Sequence, residues 1–252
     1  MGVSVPDLLD AAEPARSAMT RLRGELPPIF GDNLVAIWLY GGQLLAEGSP
    51  GDVDGHVVLA REPSPDELTR VRSLHAAIRK DFGIQELDVW YVMRHEAIAT
   101  RPPRDVNWHE EARDENWALK RAHWYAGAYA LVFGLPPTEV VPPPAWSEIE
   151  AELLAQVNRA EKEIQRSPWL ALLTLRLCRV VRTLATRDVV QTKIEAAEAL
   201  SPDLSAASQA HVAAAVRAYR GVPNPGDAEL MRVGAAGFYA AIRGLVDSAV
   251  RP

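Results

Sequence analysis

The chain has 252 residues, with 33 acidic and 27 Lys and Arg side chains and a formal net charge of −6. Hydrophobic residues make up 48% and charged residues 24% of the sequence, which excludes general disorder, and the acidic balance argues against nucleic-acid binding. The single cysteine, Cys178, excludes a disulfide framework, and no apolar run approaches the roughly 18 residues of a membrane span. Because the N-terminus also lacks the pattern of a secretory signal, we expect a cytoplasmic protein without a membrane partner.

The first ninety residues predict an α/β unit. Apolar residues at helical spacing predict a helix over residues 7–23, which Pro27-Pro28 is expected to end. The almost unbroken apolar run 33–40 is typical of a strand that is buried on both faces. The elements predicted next are a helix over 43–47, a strand over 53–59, a helix over 65–81 and a strand over 87–92. We expect these elements to form a small mixed sheet flanked by helices.

The second half of the chain predicts an all-α bundle. Residues 98–104 are expected to be loop and residues 130–134 a short strand, after which Pro142-Pro143-Pro144 predicts a stiff linker. The predicted helices that follow are 148–166, 169–186, 192–199, 206–219 and 227–250. We therefore divide the chain into an α/β domain of residues 1–144 and a helical domain of residues 145–252. The apolar residues of 169–186 lie nearly all round that helix, which is typical of the central member of a bundle.

One segment carries the elements of a phosphate and metal site. Gly41-Gly42 follows a buried strand, and glycine allows the backbone to approach a phosphate closely. Asp52 and Asp54, two residues apart on the next strand, lie on one face of it. Asp88, at the start of the third strand, is placed to join them. Carboxylates this close favour a divalent cation, and Mg²⁺ prefers such oxygens together with substrate phosphates, so we expect Mg²⁺ with a triphosphate substrate.

These residues resemble the motifs of a known family. The segments LYGG and GDVDGHVVL are similar to the active-site motif of the polymerase-β-type nucleotidyltransferases. Together with LDVWYV and LTLRLCRVVRTLATRDVVQTKIEAAEAL, they make the whole chain resemble the aminoglycoside adenylyltransferases that modify streptomycin and spectinomycin. The resemblance implies that Asp88 stands in the position of the catalytic Glu, that Lys193 binds the nucleotide phosphates, and that Trp108 stacks on the antibiotic.

The predicted function is therefore Mg²⁺-dependent transfer of AMP from ATP to a hydroxyl of a small acceptor, with an aminoglycoside or aminocyclitol antibiotic as the leading candidate. Asp88, Glu110 and Glu111 are the candidate bases that deprotonate this hydroxyl. The family pattern usually has Ser where this chain has Gly42 and Gly51, and it has acidic residues where this chain has the segment Ser-Pro-Trp-Leu-Ala before Leu172. Transfer to a different small molecule or to a protein hydroxyl, and nucleotide binding without transfer, are therefore the alternatives.

Overall fold

The computed structural model describes residues 7–42, 44, 52–99, 101–107, 110–113, 116–164 and 166–250, with the backbone alone for 105–107 and 110–113. Its contacts divide the chain into two units, Met1–Ala145 and Trp146–Pro252. The first unit contains a β-sheet with helices, and the second contains helices. That each unit is a domain able to fold by itself stays a prediction.

Within the described residues, six strands of the first unit form one mixed sheet. The strands are β1 Leu34–Tyr40, β2 Asp52–Leu59, β3 Glu86–Met93, β4 Arg104–Asn107, β5 Glu110–Arg113 and β6 Tyr129–Gly134. Their order across the sheet is β5-β4-β3-β2-β1-β6, in which β2 and β3 are parallel and the other neighbours are antiparallel. The mixed sheet agrees with the predicted fold class, to which β4 and β5 are an addition.

The sheet is covered on both faces, as the apolar run of β1 predicts. The helices of this unit are α1 Ala15–Phe30, α2 Pro65–Phe82, α3 Arg94–Ala97, α4 Trp117–Tyr125 and α5 Pro137–Val140. On one face, Ile37 and Leu39 of β1 belong to a core with the buried side chains of α1 and α2. On the other face, Trp38 and Tyr40 pack with residues of α4 and α5. This alternation gives β1 an apolar neighbour at each successive side chain.

The first helix differs from its predicted bounds at both ends. Residues Leu8–Asp10 form a separate 3-10 turn, and α1 begins only at Ala15, because a proline at position 14 disfavours helical backbone in the residue before it. The prediction that Pro27-Pro28 ends the helix is wrong, since α1 continues to Phe30. Each proline removes one backbone donor, but the buried side chains of Leu26 and Phe30 hold the last turn against the core.

The second unit is a set of helices arranged around one apolar member. Its helices are α6 Trp146–Glu163, α7 Leu170–Thr186, α8 Lys193–Leu200, α9 Ala206–Tyr219 and α10 Asp227–Val250. Helix α7 packs against α6, α8, α9 and α10, as its all-round apolar surface predicts. Among the described residues, no helix has the length and apolar character needed to span a bilayer.

Candidate active site

The Gly41-Gly42 turn and Asp54 lie directly beside each other. Tyr40, the last residue of β1, pairs with Asp54 of β2 in the antiparallel ladder. Gly41 has a φ of +84°, and a Cβ atom at this position would lie 3.0 Å from Asp54 Cγ and closer still to Oδ2. Both its backbone conformation and the space available therefore require glycine at position 41. Most of the helix predicted over 43–47, like Gly51, lies outside the described residues.

A group of acidic side chains occupies the adjoining ends of β2 and β3. The parallel register pairs Asp52 with Glu86 and Asp54 with Asp88. One carboxylate oxygen from each of Asp52, Glu86 and Asp88 lies within 4.8 Å of the others. Asp52 and Asp88 are half-buried, whereas Glu86 is exposed. The structure thus brings together two of the three predicted metal ligands, Asp52 and Asp88, and it places the third, Asp54, against Gly41.

The chemistry of this group suits a hard divalent cation. Carboxylate oxygens are the ligands that Mg²⁺ and Ca²⁺ take in proteins, at distances of about 2.0–2.6 Å. Two ligands on opposite sides of one such ion are therefore about 4–5 Å apart. The oxygens of Asp52, Glu86 and Asp88, which all lie within 4.8 Å of one another, are near enough for side-chain rotations to bring them around one ion.

Glu86 is a member of the group that the sequence analysis missed. Its signal is present in the sequence, because Glu86 and Asp88 alternate along β3 as Asp52 and Asp54 do along β2. Residues two apart on a strand share a face, so each pair lines the same side of the sheet.

A layer of aromatic rings lies next to the acidic group on the same face of the sheet. His56, two residues after Asp54 on β2, is fully buried, and its ring centroid is 5.3 Å from that of Tyr40. Trp117 and Trp124 of α4 complete the layer, with ring centroids 5.9 and 5.4 Å from that of His56. Lys120 of α4 places its Nζ 5.6 Å from the centre of the Tyr40 ring. This packing fixes the end of β1 from which the Gly41 turn begins.

Part of the chain matches a known protein family. Residues 140–234 match the family described as aminoglycoside adenylyltransferase, C-terminal domain. The match lies almost entirely within the helical unit of the chain. This match agrees with the family that the motifs resemble, whose members are nucleotidyltransferases as predicted.

A solved adenylyltransferase structure shares the fold. Spectinomycin adenyltransferase AAD(9) from Enterococcus faecialis, whose crystal structure holds ATP and spectinomycin, superposes with a TM-score of 0.75. The two sequences are 14% identical, and the match covers 90% of this chain and 98% of that chain. The likeness confirms the predicted fold class, an α/β unit followed by a helical one. No curated protein matches this chain.

The hairpin β4–β5 carries the alternative bases predicted from the sequence. Val106 of β4 pairs with Tyr91 of β3, and Asn107 pairs with Glu110 across the hairpin. Because β4 runs antiparallel to β3, Asn107 and Glu110 lie toward the end of the sheet that carries Asp88. The side chains of Glu110 and Glu111 are not described, and Trp108 lies outside the described residues, so the roles of all three stay predictions.

Lys193, the lysine that the family resemblance assigns to the phosphates, is the first residue of α8. The Thr192 side chain accepts a hydrogen bond from the Glu195 backbone N–H, which caps this helix. The Lys193 Nζ lies 5.3 Å from the centre of the Tyr219 ring on α9, a distance typical of a cation–π contact. Its role in nucleotide binding stays a prediction.

Proposed function

We propose that the protein transfers AMP from ATP to a hydroxyl group of an aminoglycoside or aminocyclitol. The observation that carries the proposal is the group of carboxylates on β2 and β3 beside the Gly41 turn, in a chain whose residues 140–234 match the C-terminal domain of aminoglycoside adenylyltransferases. A glycine turn and clustered acids are the parts that a nucleoside triphosphate with its divalent cation needs.

Residues at the end of β1 and at the start of β2 would bind the nucleotide. In the proposal, the backbone N–H groups of the Gly41-Gly42 turn bind the phosphates of ATP. Asp52, Asp54 and Asp88 would hold Mg²⁺. When bound, Mg²⁺ neutralises the charge that develops on the phosphate oxygens and on the pyrophosphate. AAD(9), which shares the fold, was crystallised with ATP, and this supports the choice of nucleotide.

The acceptor side requires a base and a site for a cationic molecule. The acceptor oxygen attacks the α-phosphorus of ATP, the bond to the pyrophosphate breaks, and the hydroxyl proton passes to a carboxylate. Asp88, Glu110 and Glu111 are the candidates for this carboxylate. Spectinomycin, the second ligand of AAD(9), carries amines, whose positive charge is costly to desolvate without carboxylates. We therefore assign the recognition of the acceptor to the segment that holds Trp108, Glu110 and Glu111.

Release of pyrophosphate from ATP tests the proposal directly. The protein is assayed with MgATP against a panel of aminoglycosides and aminocyclitols, and we expect release that depends on at least one acceptor. Asp54→Asn should abolish it, whereas Asp66→Asn, which makes the same charge change on the exposed first turn of α2, should leave it unchanged. No release with any acceptor, although the wild type binds ATP, would contradict the acceptor assignment.

A second candidate, nucleotide binding without transfer, is favoured by two features of the sequence. Gly42 and Gly51 lack the hydroxyl groups that the family pattern usually offers to the phosphates. Asp88 is also shorter by one methylene than the catalytic Glu of that pattern. Calorimetric titration with MgATP distinguishes the two candidates, since binding that Asp54→Asn abolishes, without pyrophosphate release, supports the binding module.

The prediction for Lys193 is tested by the same titration. Lys193→Ala removes the ammonium group, and we expect weaker binding of ATP with an unchanged melting temperature of the free protein. Lys162→Ala, which removes a lysine from the exposed last turn of α6, is the control. A large fall in melting temperature without ligand would instead mark Lys193 as a structural residue through its contact with Tyr219.

A further inference from the structure

We propose that Glu86 binds the same divalent cation as Asp52 and Asp88. The inference rests on the proposed function, because it adds a ligand to the metal site of that reaction. Glu86 lies outside the motif of two glycines and alternating aspartates from which the site was predicted. The structure brings its carboxylate into the group through the pairing of β2 with β3.

Acidic residues pair with each other across the strands β2 and β3. Asp52 pairs with Glu86 and Asp54 pairs with Asp88, so two pairs of acids occupy successive positions on one face of two parallel strands. Like charges directly opposite each other destabilise a sheet. A cation between the strands replaces this repulsion by attraction, and it does so most effectively when it is shared by both strands.

The Glu86 carboxylate is also near the other two acids of the group. One oxygen of Glu86 already lies within 4.8 Å of an oxygen of Asp52 and of one of Asp88. Opposite ligands of one octahedral Mg²⁺ ion are about 4 Å apart and adjacent ligands about 3 Å, so the carboxylates must move closer together to share the ion. Glu86 is exposed and has the longer side chain, so it can make this movement by rotating its own torsions without moving either strand.

Several other acids of this unit already hold an arginine: Glu25 and Asp81 bind Arg21, Glu62 binds Arg104, and the buried Glu67 binds Arg61. Among the described residues, no side chain forms an ion pair or a hydrogen bond with Glu86. Within this described part of the chain, a cation would therefore displace no ion pair or hydrogen bond of the Glu86 carboxylate.

The test measures metal binding by the whole protein without relying on turnover. Mn²⁺, which replaces Mg²⁺ in oxygen sites and is paramagnetic, is titrated into the full-length protein and followed by electron paramagnetic resonance of the free ion. We expect Glu86→Gln to weaken Mn²⁺ binding at least fivefold and Glu86→Asp to weaken it less. Asp66→Asn, an exposed acid of the same unit, should bind Mn²⁺ as the wild type does.

Asp52→Asn makes the failure of this inference distinguishable from the failure of the proposed function. If Asp52→Asn weakens Mn²⁺ binding and Glu86→Gln stays within twofold of the wild type, Glu86 is not a ligand although the metal site stands. If both variants bind as the wild type does, the metal site of the proposed function is wrong as well. Melting temperatures without metal serve as the folding control, and we expect Glu86→Gln to be at least as stable as the wild type because it removes a like charge.

Discussion

At the residue scale, the Asp54 carboxylate occupies the space that a Cβ atom at position 41 would need. Gly41→Ala adds a Cβ atom that Asp54 must move to accommodate, and it also forces an L-residue to a φ of +84°. We expect loss of MgATP binding together with a fall in unfolding free energy of more than about 1 kcal/mol. Calorimetric titration and urea unfolding measure the two effects.

Gly83 provides the matched control for this substitution. It lies at the C-cap of α2 with a φ of +66°, and a Cβ atom there would meet nothing within 4 Å. Gly83→Ala should therefore cost about 1 kcal/mol from backbone strain alone and should leave MgATP binding unchanged. Equal ATP affinities in the two variants would show that the contact of Gly41 with Asp54 is not needed for nucleotide binding.

A second residue-scale prediction concerns pH and the buried His211 of α9. Its Nε2 shares a hydrogen bond of 2.9 Å with Thr174 Oγ1, and its ring stacks on Phe238 at 4.6 Å. Burial lowers the pKa of His211 to about 4. Because the unfolded chain protonates this histidine near pH 6.5, the stability it contributes is complete above pH 6.5 and is lost as the pH falls toward 4.

Urea unfolding of the full chain at pH 7.5 and pH 5.0 measures this effect. Between those values we expect the His211 contribution to fall by about 2 kcal/mol, and His211→Gln should remove that part of the pH dependence. His95→Gln, which replaces an exposed histidine of α3, is the control and should keep the dependence of the wild type. An identical pH dependence in the wild type and His211→Gln would show that this histidine is not held neutral.

At the element scale, helix α2 begins with a capping box that also ties it to the end of β2. Glu67 accepts hydrogen bonds from the Ser64 backbone N–H at 2.6 Å and from the Arg61 guanidinium at 3.0 Å. The Arg61 bond is the main cause that lowers the pKa of Glu67 to about 2, against the opposing effect of burial. The Glu67 carboxylate thus stabilises the fold above pH 4.5, and this contribution is lost as the pH falls from about 4.5 to about 2.

Glu67→Gln should therefore lower the unfolding free energy by about 1 kcal/mol at pH 7, since Arg61 is largely exposed and screened by solvent. The difference from the wild type should shrink as the pH is lowered through 4. Thermal unfolding at several pH values measures it, with Glu139→Gln as a control from the short helix α5. A difference that grows at low pH would contradict the assigned direction of the pKa.

Some helices and strands of this protein can be predicted from their own residues, and others cannot. The strand β1 and the helices α2, α7 and α9 have long apolar patterns, and their predicted positions agree with the structure to within a residue or two. The hairpin β4–β5 was missed because its strands are four residues long and rich in charge, so neither shows an alternation of apolar and polar residues. Such strands form because they extend an existing sheet edge, which is a tertiary effect.

The same distinction applies to the candidate site. Asp52, Asp54 and the Gly41 turn are near in sequence, and their spacing predicts their proximity on adjoining strands. Glu86 and Lys120 join them through strand pairing and through the packing of α4 on the sheet. Contacts between residues that are far apart in the chain have no local signal, and only the register of the strands and the placement of the helix reveal them.

At the scale of the whole molecule, the first unit packs helices against a sheet, whereas the second packs helices against helices. The first unit has one core between its sheet and the helices α1 and α2 and another between the sheet and the helices α4 and α5. In the second unit, α7 packs against α6, α8, α9 and α10, all of which lie within Trp146–Pro252. Because each unit has packing partners inside its own boundaries, we predict that each is an autonomous domain.

The prediction is tested by expressing residues 1–145 and residues 146–252 separately. We expect residues 146–252 to give a helical circular dichroism spectrum and one cooperative thermal transition, since its buried side chains, among them Leu175 and Phe238, lie on helices that contact each other. The variant Phe238→Ala leaves a cavity in this core and should lower the unfolding free energy of the fragment by about 3–5 kcal/mol. Its effect on the full chain provides the comparison. Helical but non-cooperative melting that Phe238→Ala does not change would show that the helices need the rest of the chain to pack.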